Sequence, residues 1–239
     1  VDGGGVQGNE AIGELSVRLL TYYTDSHAEM CQRFVIDRAT GFEVIARRYP
    51  QRCETGAFKS EGWNECMLDK LDAILSLPDS DEPVVYVDSD VVLLPGFHDY
   101  ATKMGSIVTE ANYVLMADDV IQLCAGIMVF RMSKRTRWFF EVVARLSPVW
   151  NLPDQDVIAN LRMQADQSGG RLPVSLACMD PDKVSNWATV CRPTVPQPWQ
   201  GESFVVPETC AAWHANWTIG VDRKMDMLTK VLDQVEARE

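Results

Sequence analysis

The chain predicts an α/β fold, a single domain in which a mostly parallel central sheet is flanked by helices on both faces. Strand-like and helical segments alternate through its first half, which is the pattern of a parallel sheet joined by helical crossovers. The clearest strand is the β-branched and aromatic run at 84–87, whose length suits a buried strand. The clearest helices are the spacing of Met67, Leu68, Leu71, Ile74 and Leu75, and that of Met225, Leu228, Val231, Leu232 and Val235 near the end.

In chain order, residues 16–24 read as a first strand, and Ser26 is placed to cap a helix running through Cys31 and Phe34. A second strand is expected at 42–46, a helix at 65–77, then the acid-bearing strand. Two further strands fall at 113–116 and 126–131, and Ser133 caps a helix near 137–145. A short helix at 154–163 opens with acids, which suit the positive end of its dipole; Asp154 reads as its N-cap. The region 169–206 is rich in Pro and Gly and reads as a less regular, acceptor-facing lobe. No linker, repeat or low-complexity segment divides the chain.

Composition sets limits. At 239 residues, 46% hydrophobic and 23% charged, the chain can bury a substantial core and is not of a disordered type. A net charge of −12 argues against a general binder of nucleic acid or of anionic membrane. No apolar run approaches the roughly 18 residues of a membrane span. The chain starts at Val1 with a Gly-rich opening, so 1–15 is expected to be a flexible segment of a trimmed domain, with the folded unit at 16–239. The seven cysteines are odd in number and none shows Cys-x-x-Cys spacing, which points to a reducing, cytoplasmic compartment.

The chemistry concentrates at the end of the 84–87 strand, in Asp88-Ser89-Asp90. In open α/β sheets, ligands bind where strands leave the sheet. Two carboxylates this close repel each other unless a positive group lies beside them, and oxygen ligands suit Mg²⁺ or Mn²⁺. A solvated Asp-Ser-Asp turn is the plainer alternative. Three other segments bear on the choice. Asp154-Gln155-Asp156 could project from a helix start to orient hydroxyls or accept a proton. His214, one of three histidines with His27 and His98, is flanked by Trp213 and Trp217 and followed by Gly220 and Lys224. Thr21, Tyr22 and Tyr23 end the first strand, where they could meet a nucleobase.

Taken in order, the Asp-x-Asp strand, the 126–131 strand, Asp154-Gln155-Asp156, and His214 with Gly220 and Lys224 resemble the nucleotide-diphospho-sugar transferase family. The resemblance covers about 19–232, and it implies a glycosyltransferase of the GT-A (Rossmann-like) fold. It implies a nucleotide-binding half at about 16–131 and an acceptor-side half at 132–239. It implies that Mn²⁺ (or Mg²⁺) is held by Asp90, Asp88 and His214, with Asp88 reaching the metal or the ribose. Lys224 and the backbone near Gly220 would meet the phosphates, Ser89 would be a further nucleotide-binding residue, and Thr21, Tyr22 and Tyr23 would meet a base, uracil by preference. Lys70 would face the nucleotide or be a solvated helix residue. The partners implied are a UDP-sugar-type donor and a glycan or other hydroxyl acceptor. Asp156 or Asp154 would act as base in an inverting reaction, or Gln155 or Asp154 would steady the sugar in a retaining one. Asp118 and Asp119 would bind hydroxyls or form a charged turn. Asn216-Trp217-Thr218 matches a glycosylation acceptor, but its place in the site argues against modification. One departure is Cys124-Ala125-Gly126, where the family often has Asn-Thr-Gly; any donor contact made by that Asn is in doubt here.

Two rival readings share some of these residues. A phosphatase of the haloacid dehalogenase type also carries Asp-x-Asp after an apolar strand, but normally on its first strand. A non-catalytic nucleotide-sugar or glycan-binding domain would use tryptophans such as Trp63, Trp213 and Trp217 as sugar platforms.

Overall fold

The computed structural model describes residues 17–53, 60–194 and 197–238. The segment 1–15, expected to be flexible, and Ser16 lie outside the described residues. Among the described residues, nine strands and seven α-helices follow in sequence. They are β1 (Arg18–Tyr23), α1 (Ala28–Phe34), β2 (Glu43–Arg48), α2 (Trp63–Leu75), β3 (Pro83–Val87), β4 (Val91–Leu93), α3 (Phe97–Glu110) and β5 (Tyr113–Asp118). The second half continues with β6 (Leu123–Arg131), α4 (Lys134–Trp150), α5 (Asp154–Ser168), β7 (Ser175–Cys178), β8 (Val184–Asn186), α6 (Trp187–Val190), β9 (Ala212–His214) and α7 (Val221–Glu236).

The main sheet has six strands in the order β2-β1-β3-β6-β5-β7. Its β1–β2, β1–β3 and β5–β7 pairs are parallel, and β6 alone runs antiparallel to its neighbours. Strand alternation splits the core in two. Leu19, Val85, Val87, Leu115 and Val129 face Phe97, Ala101 and Val108 of α3 and Cys31 of α1. Leu20, Val84, Tyr86, Val114, Met128 and Phe130 face α2, α4 and α5 on the other side. A smaller sheet, β4-β9-β8, packs under α7 through a third cluster around Trp213, Trp199, Met227 and Leu228.

Several local readings differ from expectation. Ser26 caps no helix: the chain enters α1 through a 3-10 turn at Asp25–His27, and the Ser26 hydroxyl engages His27 Nδ1 at 2.8 Å instead. Asp154 is the first residue inside α5, one position past the N-cap, which is Pro153. Ser133 does cap α4, accepting from Thr136 N at 3.2 Å. Helix α3 and the strands β4, β7, β8 and β9 were not expected. The buried stripe of α3 is Phe97, Ala101, Gly105 and Val108, which has few large residues to mark it. The strands are three or four residues long, too short for alternation to show.

Phe140 of α4 is fully buried, with its ring 5.2 Å from that of Phe130 on β6. Phe140→Ala is expected to destabilise the fold by about 3–5 kcal/mol, read as a lowered urea midpoint with unchanged slope.

Candidate active site

The site forms where β3 leaves the main sheet. Asp88 N donates to Gly126 O at 2.7 Å, so the first acid stays tied to β6. Two residues later the chain joins the small sheet. There Val91 pairs with His214, and Ala215 N donates to Asp90 O at 2.9 Å. This register sets His214 beside both acids. Its Nε2 lies 3.2 Å from Asp90 Oδ1 and 3.8 Å from Asp88 Oδ2. One ligand atom from each of Asp88, Asp90 and His214 falls within 4.8 Å of the others.

The His214 ring is held on a glycine. A Cβ at Gly126 would lie 2.1 Å from Cε1 and 2.5 Å from Nδ1, far inside contact distance. On the ring's other nitrogen, Cys124 Sγ lies 3.4 Å from Nδ1. Lys224 comes from the first turn of α7 and places Nζ 2.7 Å from Asp90 Oδ2. Burial would raise the Asp90 pKa, but Lys224 and then His214 outweigh it and hold the carboxyl well below its usual range. Burial would lower His214, but Asp90 outweighs it and holds the imidazole well above its usual range.

A second charge centre adjoins the first. Lys70 is 2% exposed, and its Nζ lies 3.0 Å from Asp154 Oδ2, 3.3 Å from Asp88 Oδ1 and 2.7 Å from Ala125 O. The ammonium donates to Ala125 O and forms ion pairs with both carboxylates. Lys70 is therefore not a solvated helix residue; it lines the cleft, paired with both acids. Tyr86 donates to Asp88 Oδ1 as well. Burial raises the Asp154 carboxyl despite the opposing pull of Lys70.

Asp119 joins three segments. It accepts from Gln155 Nε2 at 3.1 Å, from Asn216 Nδ2 at 2.9 Å and from Trp217 Nε1, while burial raises its pKa. Gln155 Oε1 accepts from Ala125 N at 3.1 Å, and Asp156 Oδ1 from Gln122 Nε2 at 3.0 Å. Together these groups wall a cleft of about 490 Å³.

Most of the residues singled out in the sequence converge here. Tyr22, Tyr23, Lys70, Asp88, Ser89, Asp90, Asp119, Asp154, Gln155, Asp156, His214 and Lys224 all line the cleft. Thr21 does not: it is fully buried, with its hydroxyl 3.7 Å from Cys31 Sγ on α1. As residue i of a strand whose i+1 faces the opposite side, it points away from Tyr22. Gly220 is the N-cap of α7, with φ 94°, and is not among the residues that line the cleft. Asp118 turns away to Arg192 and to Val120 N. Sequence reasoning missed His27, Gln51 and Cys124 as cleft residues. His27 follows the first strand, and one of only three histidines at a strand exit was a usable signal. Asn216 lies in the cleft wall, hydrogen-bonded to Asp119. None of the seven cysteines, all among the described residues, is in a disulfide. Among the described residues, no helix is long and apolar enough to cross a membrane.

An open, mostly parallel sheet flanked by helices is the architecture of GT-A glycosyltransferases, and solved structures share this fold. A glycosyltransferase involved in glycosylating the major capsid of PBCV-1 matches with TM-score 0.62 at 12% identity, covering 90% of this chain and 99% of its own. The galactosyltransferase LgtC, solved with donor and acceptor sugar analogues, matches with TM-score 0.51 at 10% identity over 89% and 95%. The apo glycosyltransferase GlyE of Streptococcus pneumoniae TIGR4 matches with TM-score 0.50 at 11% identity over 93% and 64%. At these identities the likeness concerns the fold. The sequence profile of the nucleotide-diphospho-sugar transferases matches residues 30–228, and the chain belongs to that family. It is a glycosyltransferase, which sets aside the phosphatase and the non-catalytic binding module. No curated protein sequence matches it significantly.

Gly126→Ala forces a methyl group into the buried His214 ring. It is expected to cost about 1–3 kcal/mol, visible as a lower melting temperature, because overpacking a filled site displaces its neighbours.

Proposed function

We propose that this glycosyltransferase takes its sugar from a nucleoside-diphosphate sugar, a UDP-sugar in our reading, with Mn²⁺ or Mg²⁺ as cofactor. The acceptor is a hydroxyl of a glycan or glycoconjugate. The observation that carries the reading is the convergence of Asp88, Asp90 and His214 on one point of the cleft, beside Lys224 and the start of α7. Two carboxylates and an imidazole suit a hard-to-borderline divalent ion, and their ligand atoms are close enough to share one. Bound there, such an ion would neutralise charge developing on the leaving diphosphate.

The remaining roles fall to the chain's own groups. Asp90 and His214 are the direct ligands, with Asp88 serving the ion or the ribose. Lys224 neutralises Asp90 in the metal-free protein and the diphosphate when donor is bound, helped by Ser89 and by the positive end of α7 near Gly220. Tyr22 and Tyr23 line the base side. Asp156 is the base for the acceptor hydroxyl, because Asp154 is committed to Lys70 and Gln155 to Ala125 N and Asp119. Lys70 acts one step back, fixing Asp88 and Asp154. In this reading residues to about 131 serve mainly the donor and those beyond mainly the acceptor, with His214 and Lys224 crossing to the donor side. The solved LgtC holds both donor and acceptor sugar analogues, which supports one cleft serving both.

Calorimetric titration of UDP is expected to show binding with Mn²⁺ present. Binding should be lost in EDTA and in Asp90→Ala and His214→Ala. Wild-type protein that binds neither UDP nor GDP under either condition would overturn the reading. A panel of UDP-sugars then identifies the donor. With donor and acceptor in hand, Asp156→Asn should lower kcat about 10²–10⁴-fold with donor affinity unchanged; a similar loss in donor affinity would instead make Asp156 a binding residue.

A further inference from the structure

Cys124 stands where the resemblance leads one to expect an amide side chain, and its surroundings give the thiol a task. It is buried, and three nitrogens approach its sulfur: His214 Nδ1 at 3.4 Å, Gly126 N at 3.4 Å and Asn216 Nδ2 at 3.7 Å. The other nitrogen of His214 faces Asp90 and Asp88. A neutral imidazole has one proton and one lone pair. If Nε2 offers its lone pair to a cation, the proton sits on Nδ1 and needs an acceptor in a buried site. The acceptor this structure offers is Cys124 Sγ.

We propose that Cys124 is a positioning residue for His214: its sulfur accepts a hydrogen bond from Nδ1–H, which keeps the proton on Nδ1 and leaves the Nε2 lone pair facing the point between Asp88 and Asp90 where a cation would sit. The inference rests on the cation reading above. Histidine ligands depend on such partners behind them, which fix tautomer and ring orientation and whose loss typically weakens metal affinity about 10–100-fold. Here the other restraints on the ring are in place without the thiol. Gly126 closes one side of the ring, and the β4–β9 register fixes the backbone. Removing the sulfur therefore acts on the tautomer more than on the location of the ring. In the metal-free protein Nε2 faces Asp90 instead, with Cys124 Sγ still at Nδ1.

The test compares Mn²⁺ affinity in the presence of UDP for wild type, Cys124→Ala, Cys124→Ser and Cys124→Val. Long-range ¹H–¹⁵N spectra of the Mg²⁺ form supply the second readout, with His214 assigned by its loss in His214→Ala among only three histidines. Cys124→Ala is expected to bind Mn²⁺ 10–100-fold more weakly and to lose the Nδ1-protonated pattern. Cys124→Ser, which keeps an acceptor, should retain most of both. If Cys124→Ala fails to fold, Ser against Val gives the same contrast at similar volume. Wild-type affinity and tautomer in the Ala or Val variant would overturn the proposal and leave the thiol as packing. A wild-type protein that binds no Mn²⁺, with His214→Ala unchanged from it, would overturn the cation reading itself.

Discussion

Everything at this site depends on keeping several carboxylates buried together. Asp90 and Asp154 are almost fully buried, and Asp88 partly so. A buried charge left unpaired costs several kcal/mol, so each must find a cation or a donor within reach. The chain supplies them from elements far apart in sequence. Lys70 of α2 sits between Asp88 and Asp154, while His214 of β9 and Lys224 of α7 hold Asp90. The cleft is thus closed by charge balance as well as by packing. Neither α2 nor the β9–α7 segment can move away without leaving a carboxylate of the site short of its cation.

Backbone strain gathers at the same place. Val120, at φ 64°, and Trp217, at φ 58°, both occupy the left-handed region. For a β-branched residue that conformation is a genuine outlier. Each adjoins Asp119 or is bonded to it. Asp119 precedes Val120 in the turn between β5 and β6, and it accepts from the Trp217 indole and from Asn216. Strained residues persist where surrounding contacts over-determine them, and they cluster at functional sites. Here one buried carboxylate fixes two strained loops together, with Ile121 exposed beside one and Ile219 beside the other at the cleft wall.

The legible parts of the sequence were those with long periodic patterns or with chemistry that is unusual in a core. The strand ending in Asp88, the helix carrying Lys70 and the closing helix showed their periods plainly. His214 stood out because histidines are few and this one precedes Gly220 and Lys224. What stayed hidden depends on pairing. Strand β9 is three residues long, and only its register with β4 makes His214 a neighbour of Asp90. Lys70 could equally have faced the nucleotide or solvent, because a helix pattern does not reveal that Asp88, Asp154 and Ala125 O lie beside it. Thr21 and Tyr22 looked equivalent at a strand end, whereas strand geometry sends them to opposite faces.

The antiparallel strand explains why the segment 124–126 is built of small residues. Parallel strands bring their C-terminal ends to the site, but β6 runs the other way and brings its beginning. At that point its pairing with β5 slips, from Met116–Met128 to Ala117–Cys124, leaving extra residues of β6 in a bulge. Bulges re-aim side chains and backbone groups beside active sites. Ala125 and Gly126 in the bulge, and Cys124 paired just before it, are all used. Cys124 offers its sulfur to His214, Ala125 gives N–H to Gln155 and C=O to Lys70, and Gly126 accepts from Asp88 N while leaving space for the imidazole. A larger side chain at 126 would collide with the ring. The departure from Asn-Thr-Gly to Cys-Ala-Gly thus keeps the glycine that the His214 ring requires and changes the group behind the ring. The strand that breaks the parallel pattern is the one whose backbone ties the two charge centres together.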